Sequence, residues 1–334
     1  MQARASGVLL PVFSLPGPYG VGTFGTPARE FVDFLAAGGQ KFWQILPLVP
    51  PGGGNSPYMS PSSFAGNPLF LDLDELAEEG LLTAEELDSA RRDNHDRVDY
   101  PWLLETRIPL LRKAWARGRA RYARELAEFL EAERSWLPDY ALFLALRDKF
   151  GGKPLADWPD ELRLRKQPAL ENARAELKEA CDFHAFLQLL FFRQWTAVKA
   201  YANGKGISII GDLPIYVSPD SAEVWARPEL FQLKEDMTPA GVAGVPPTPS
   251  PTRASTGATP STTGTTTGRP ALLGGAAGRF TWPGCMTWCA STTSGAFTPT
   301  GASPTGRRTP GRGTGKRAPA WSWWRCCAPS PGWR

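Results

Sequence analysis

The sequence predicts an α/β protein whose core is a parallel sheet flanked by helices, and three observations carry that reading. Gly7 to Leu15 (GVLLPVFSL) and Phe42 to Leu48 (FWQILPL) are short, nearly continuous apolar runs, the pattern of strands buried on both faces. One helical pattern lies between them, and two strands joined by one helix imply a parallel pair with a right-handed crossover. A third buried run, Ile207 to Val217 (ISIIGDLPIYV), follows a long helical stretch.

The elements between these runs have local signals of their own. The turn residues PGPYG close the first strand, and Thr26 then offers an N-cap with Pro27 at the first helical position. Phe31, Phe34 and Leu35 make an apolar stripe at i, i+3, i+4 before Gly38 and Gly39 stop the helix. A Gly, Ser and Pro-rich stretch runs from Pro50 to Pro68, and Thr83 with Glu86 forms a capping box. Helical periodicity covers Pro101 to about Arg134, Asp139 to Phe150, and Pro168 to Ala202, with Gly204 as the terminator. This is more helix than one crossover needs, so residues from about 70 to 170 are expected to form a helical insertion that leads into a helix of the barrel itself. Asp212 stands where the third strand should end. In a (β/α)8 barrel the chemistry gathers at the C-terminal ends of the strands, which makes Asp212 a site candidate; a turn or capping Asp is the competing reading.

Composition divides the chain in two. All 33 Asp and Glu lie at or before Asp236, and from Gly241 onward there is also no Ile, Tyr, Asn, Gln or His. Residues 1 to 240 hold 27 Lys and Arg against those 33 acids, a balance of −6, whereas residues 241 to 334 hold 10 basic residues and no acid. The first piece describes an ordinary, mildly acidic globular protein with no pull toward nucleic acid. The second departs from the roughly one quarter of charged residues, of both signs, found in folded domains, and is expected to be disordered.

Cysteine follows the same division, with Cys181 alone in the first piece and Cys285, Cys289, Cys326 and Cys327 in the second. Cys285 and Cys289 have metal-like spacing, but no His accompanies them, and no metal site is expected. GVLLPVF is broken by Pro11 and lacks a processing site, and no stretch is long enough to span a membrane, which predicts a cytoplasmic protein.

Four stretches together resemble the amylomaltase, or 4-alpha-glucanotransferase, family. They are SLPGPYGVGTFG (Ser14 to Gly25), FWQILPL with the loop NSPYMSPSSFAGNP (Asn55 to Pro68), HAFLQLLFFRQW (His184 to Trp195) and GDLPIYVSPDSAEVW (Gly211 to Trp225). AGVPP at Ala243 to Pro247 is a fifth, so the resemblance spans residues 1 to 247. It implies a (β/α)8 TIM barrel of the alpha-amylase type, no cofactor, and transfer of an alpha-1,4-glucan segment to the 4-hydroxyl of another sugar. By the same resemblance Ser56 and Tyr58 contact donor glucan, Asp212 hydrogen-bonds a sugar ring beside the scissile bond, and Tyr100 in RVDYPW matches an aromatic sugar-binding position. The chemistry suits those types: a tyrosine gives stacking area with a polar tip, and a carboxylate accepts from paired hydroxyls. The competing reading of Ser56 and Tyr58 is that they only shape a Pro-rich loop. Alpha-1,4-glucans and maltooligosaccharides are the implied partners, and the sequence leaves the oligomeric state open.

Other conspicuous residues receive a structural reading. His184, among Phe183, Phe186 and Leu187, is expected to be a satisfied packing histidine, and His95 to be solvated. Nothing near Cys181 marks it as reactive.

Retaining glycosyl transfer needs a carboxylate nucleophile and a second carboxylic acid about 5 Å away. The resemblance implies an Asp in a strand motif like VRIDHFRG, a Glu in an EDLG-like motif and a further Asp in an HD motif, and none of these strings occurs. A one-base shift recovers part of what is absent. Taking the third base of each codon with the first two of the next turns Arg253 to Gly264 (RASTGATPSTTG) into GQHWGNPLYDW, a segment the family has shortly after AGVPP. The same shift turns Thr287 to Phe297 (TWCASTTSGAF), with one preceding base, into DVVRIDHFRGF. The expectation is therefore an incomplete barrel followed, from a frameshift between Pro247 and Thr248, by an acid-free, disordered tail over residues 248–334. Such a chain ends before the other two carboxylates, and its unpaired strand edges are an aggregation hazard. Two alternatives remain: a noncatalytic alpha-glucan-binding fragment, and a basic module at residues 248–334 that binds nucleic acid.

Overall fold

A computed structural model describes residues 4–92, 97–212, 214 and 216–244, together with the backbone of four short strands at 256–260, 288–290, 300–304 and 314–316. The chain opens with strand β1 (Gly7–Leu9), helix α1 (Thr26–Ala37) and strand β2 (Phe42–Gln44). Seven helices follow: α2 (Leu73–Glu78), α3 (Ala84–Asp88), α4 (Tyr100–Gly118), α5 (Ala123–Ala132), α6 (Leu137–Lys149), α7 (Asp160–Arg163) and α8 (Gln167–Glu176). The long helix α9 (Lys178–Gly204) then leads into β3 (Ser208–Asp212) and the short helix α10 (Ala222–Ala226). Strands β4 (Gly241–Gly244), β5 (Thr256–Pro260), β6 (Trp288–Ala290), β7 (Thr300–Pro304) and β8 (Thr314–Lys316) complete the described elements.

One sheet has the order β1-β2-β3-β6 and is parallel throughout, with Gly7 beside Phe42, Trp43 beside Ile209, and Asp212 beside Ala290. The second sheet, β5-β4-β7-β8, is antiparallel. Strands β5 to β8 lie within residues 248–334, where the sequence predicts disorder, and depart from that expectation; the remainder of that stretch lies outside the described residues, as do His95 and Cys285.

All three expected strands form, and each is shorter than its apolar run. The first ends before Pro11, where a 3-10 turn (Val12–Ser14) takes over, because proline has no N–H for the ladder. Pro47 and Pro214 follow the other two at similar distances. Helix α1 differs from its expected form in two details. Gly25, not Thr26, is the N-cap, so Thr26 already has helical geometry. The buried face is Ala28, Val32 and Leu35, while Phe34 is 67% exposed. The expected stripe fails at Phe34 because Phe31 turns the other way to meet Trp43 edge-on, with centroids 5.3 Å apart, and Phe34 stacks on the outer side of Phe31.

The helical run expected over 101–134 breaks into α4 and α5 at residues 119–122, and that over 168–202 breaks at Leu177. The capping box at Thr83 forms as expected: the Glu86 N–H donates to the Thr83 hydroxyl and the Thr83 N–H to the Glu86 carboxylate.

Helix α9 ties the layers together. It packs against β3, α1, α4, α5, α6 and α8, and fourteen of its residues are buried. Phe191 and Trp195 project from it into an aromatic cluster with Phe24 and Phe70, at centroid separations of 5.2 to 5.8 Å. Burying each such side chain is worth about 1.5 to 3 kcal/mol, so this cluster is a main anchor between the N-terminal loop and the helical layer. Gly66 is required beneath it: a Cβ there would lie 2.1 Å from the Phe191 ring. Among the described residues no helix is long and apolar enough to cross a membrane.

Candidate functional site at the end of the third strand

Three of the four residues singled out from the sequence meet at the C-terminal end of the parallel sheet. Asp212 is the last residue of β3 and is 4% exposed. The Tyr58 hydroxyl donates to its Oδ2 at 2.6 Å, joining positions 154 residues apart. The Tyr58 N–H in turn donates to the Ser56 hydroxyl at 3.3 Å, so the three form one short chain of polar groups. Tyr58 and Ser56 remain partly exposed. Tyr100 stands apart: it opens α4, packs among the apolar side chains at the edge of the core, and burial raises its hydroxyl above the ordinary tyrosine value. Among the described residues no hydrogen bond links Tyr100 to the other three.

The loop that delivers Ser56 and Tyr58 owes its shape to its backbone. A tight turn at Gly53–Asn55 has left-handed residues at Gly54 and Asn55, the two types that adopt that region at least cost. Gly52 donates to the Ser56 carbonyl at 3.2 Å, and a Cβ on Gly52 would lie 1.5 Å from the Met59 carbonyl oxygen. The loop can fold back on itself only because residue 52 has no side chain.

Beyond Met59 the loop is fastened from below by groups that sequence reasoning passed over. The Ser62 hydroxyl donates to Glu223 Oε1 at 2.6 Å and accepts from the Phe64 and Ala65 N–H groups at 3.1 Å. Gln188, fully buried on α9, accepts from the Gly66 N–H at 2.7 Å and donates to the Gly66 carbonyl at 3.0 Å. Two turns further along α9, Gln194 clamps Asp72 the same way, at 2.8 and 3.2 Å. The available signal was an amide in an otherwise apolar helical face, HAFLQLLFFRQW, since a buried polar side chain needs a partner.

The other titratable groups are accounted for by packing. His184 is buried and its Nε2 lies 3.1 Å from Asp148 Oδ2, a satisfied histidine. Burial, with Asp182 beside it, pushes the Cys181 thiol up to about 11, which leaves it protonated and unreactive. Arg107 is fully buried, donates to the Leu71 carbonyl, and burial lowers its guanidinium to about 10 against the opposing pull of Asp72. Among the described residues no group of three or more His, Cys, Asp or Glu could hold a metal ion.

A parallel sheet with an aromatic hydroxyl, a serine and a carboxylate gathered at its C-terminal rim has the layout of a barrel-type α/β protein. Comparison with known proteins gives the family. The model of the 4-alpha-glucanotransferase family matches residues 10–252, and the chain belongs to that family. It is 50% identical over 248 residues to a 4-alpha-glucanotransferase of Thermus thermophilus, covering 73% of this chain and 49% of that protein. It is 42% identical over 254 residues to the chloroplastic/amyloplastic enzyme of Solanum tuberosum, covering 73% of this chain and 44% of that one. The chain thus spans about half the length of the curated relatives it matches. Among solved structures, an amylomaltase from Streptococcus agalactiae in complex with acarbose superposes with a TM-score of 0.84 at 37% identity, covering 95% of this chain and 65% of that one. This places the fold with the TIM-barrel amylomaltases.

Proposed function

We propose that the gene specifies a 4-alpha-glucanotransferase that moves an alpha-1,4-glucan segment to the 4-hydroxyl of an acceptor sugar, and that this polypeptide carries only the donor-glucan side of the site. The observation that carries the reading is the meeting of Tyr58 with Asp212 at the end of β3, in a chain of that family. A glucan offers flat apolar ring faces edged with hydroxyls. Tyr58 supplies a face and a hydroxyl, Asp212 accepts from ring hydroxyls, Ser56 adds a donor and acceptor, and Tyr100 is assigned a more distant aromatic contact. The acarbose bound by the Streptococcus agalactiae amylomaltase supports a sugar as the ligand. Maltooligosaccharides are the partners, without nucleic acid, membrane or cofactor, in the cytoplasm.

The transfer itself follows a retaining double displacement in the family, with a nucleophilic carboxylate and an acid/base carboxylic acid. This reading frame has no Asp or Glu over residues 237–334, so the nucleophile expected there is absent and the chain is inactive. Residues 1–247 are the N-terminal part of the barrel, interrupted by a helical insertion over about 70–170, and residues 248–334 are read out of frame. Trp288–Ala290, within the stretch that spells the nucleophile strand after a one-base shift, runs parallel to β3 with Ala290 beside Asp212.

The purified chain assayed for maltotriose disproportionation should show no turnover above buffer; clear turnover overturns the claim of inactivity. Titration with maltoheptaose should show binding that Asp212→Asn weakens, and a chain that binds no maltoheptaose refutes the donor-site assignment. Resequencing across the Pro247 and Thr248 codons tests the shift directly: a missing or extra base supports it, and a confirmed frame leaves the noncatalytic glucan-binding fragment.

A further inference from the structure

The loop bearing Ser56 and Tyr58 is fixed at three places: Tyr58 meets Asp212, Gly66 is clamped by Gln188, and Ser62 between them is held by Glu223. We infer that Glu223 is a positioning residue for this loop, holding its 60–65 segment through Ser62 so that Tyr58 is presented to Asp212. The inference rests on the donor-site reading of Ser56, Tyr58 and Asp212.

The geometry is specific. Glu223 lies on α10, whose first N–H, that of Ala222, donates to the Pro61 carbonyl at 2.9 Å, so helix and loop are already joined by backbone. The Glu223 stem is half-buried, but its Oε2 is shut off from solvent. Ser62, 0% exposed, spends its single proton on Glu223 Oε1 and its lone pairs on the Phe64 and Ala65 N–H groups. Ser60 completes the knot by donating to the Ser62 carbonyl at 2.6 Å and accepting the Ser62 N–H at 3.1 Å. Removing the carboxylate frees the Ser62 hydroxyl to turn and compete for the backbone groups it now organises.

A carboxyl enclosed without a basic partner is costly to ionise, and burial pushes Glu223 up to about 7, with the Ser62 hydroxyl and the Ser63 and Phe64 N–H groups opposing. The other groups around α10 do not neutralise it. Tyr140 of α6 is itself raised by burial and by Glu223, Arg147 of α6 pairs with Asp220 at 3.3 Å, and Arg165 stacks on Trp225 at 4.3 Å. Because enclosure raises Glu223, the protonated form favours the held arrangement and ionisation at higher pH works against it, while an oxygen of either form can accept the Ser62 hydroxyl proton.

The test compares Glu223→Ala, Glu223→Gln and Ser62→Ala in the full chain by amide exchange of residues 62–66 and by maltoheptaose titration at about pH 6 and about pH 8. Glu223→Ala should speed exchange in 62–66 and weaken maltoheptaose binding, each by about tenfold, the scale of one charge-assisted hydrogen bond. Glu223→Gln, which still accepts from Ser62, should stay within about twofold of the parent and lose the parent's difference between the two pH values. Ser62→Ala, whose carboxylate is intact, should reproduce the exchange effect even if Glu223→Ala fails to fold. Parent-like exchange over 62–66 in Ser62→Ala, or in a folded Glu223→Ala, overturns the inference. If the parent chain binds no maltoheptaose, the donor-site reading falls, and the exchange data still decide whether Glu223 holds the loop.

Discussion

In residues 1–240, 33 acids stand among 27 basic side chains, and the polar groups of that piece reach into its core; in residues 241–334, ten basic side chains have no acid, amide, histidine or tyrosine to answer them. The first piece shows what such answers do. Gln188 and Gln194 satisfy the backbone of Gly66 and Asp72, Glu223 holds Ser62, and Arg29 pairs with Glu75 at 2.5 Å. A core buries backbone as well as apolar surface, and each buried N–H or carbonyl left alone costs about 1 to 3 kcal/mol. The second piece has apolar material in plenty, with six tryptophans, but its side-chain acceptors are limited to Ser and Thr hydroxyls. Hydrophobicity alone does not specify a fold.

The comparison breaks most visibly at the DNA. Restoring one base at the Pro247 and Thr248 codons should raise maltotriose disproportionation from background by at least about a thousandfold, as expected when catalytic carboxylates return. An unchanged background would mean that the two pieces differ for a reason other than frame.

Stability should separate the pieces next. Trp195→Ala removes a fully buried ring from the aromatic cluster and should cost about 3 to 5 kcal/mol in urea unfolding. Ending the chain after Pro247 should change the same transition by less than about 1 kcal/mol. A large loss on truncation would show that the acid-free piece contributes to the fold.

A smaller effect sharpens the role of buried amides. Gln188→Leu keeps the apolar volume but leaves the Gly66 N–H and carbonyl unanswered, and should cost about 2 to 3 kcal/mol by the same measurement.

The pH dependence should be the most modest. Glu223 is raised from 4.5 to about 7, so the folded state holds its proton more tightly than the unfolded chain does. Its contribution is fully present below about 4.5 and is lost as pH rises through about 7, so stability should fall across that window. Glu223→Gln should flatten the fall; an equal slope in the variant would assign it to another group.

Legibility followed the range of the interactions. The Thr83 capping box depends on neighbours in sequence and was read from it, whereas the strands stop short of their expected ends, near Pro11, Pro47 and Pro214. The site was legible only as separate residues: Ser56 and Tyr58 are two apart, but the bond from Tyr58 to Asp212 spans 154 positions, and Tyr100 joins a different neighbourhood. The exposed Phe34 was misjudged because periodicity gives a helix an apolar face without saying how it rotates against Trp43. Gln188, Gln194 and Glu223 were passed over because a polar residue within an apolar helix, or a glutamate in a short one, reveals its partner only when the chain has folded. The sequence by itself determined the parallel strands, the family pattern and the abrupt end of acidic residues, since these reside in local order and composition. Only the tertiary structure decided which face of α1 is buried and which side chains hold the loop over β3, because those depend on contacts between segments that nothing in their local order joins.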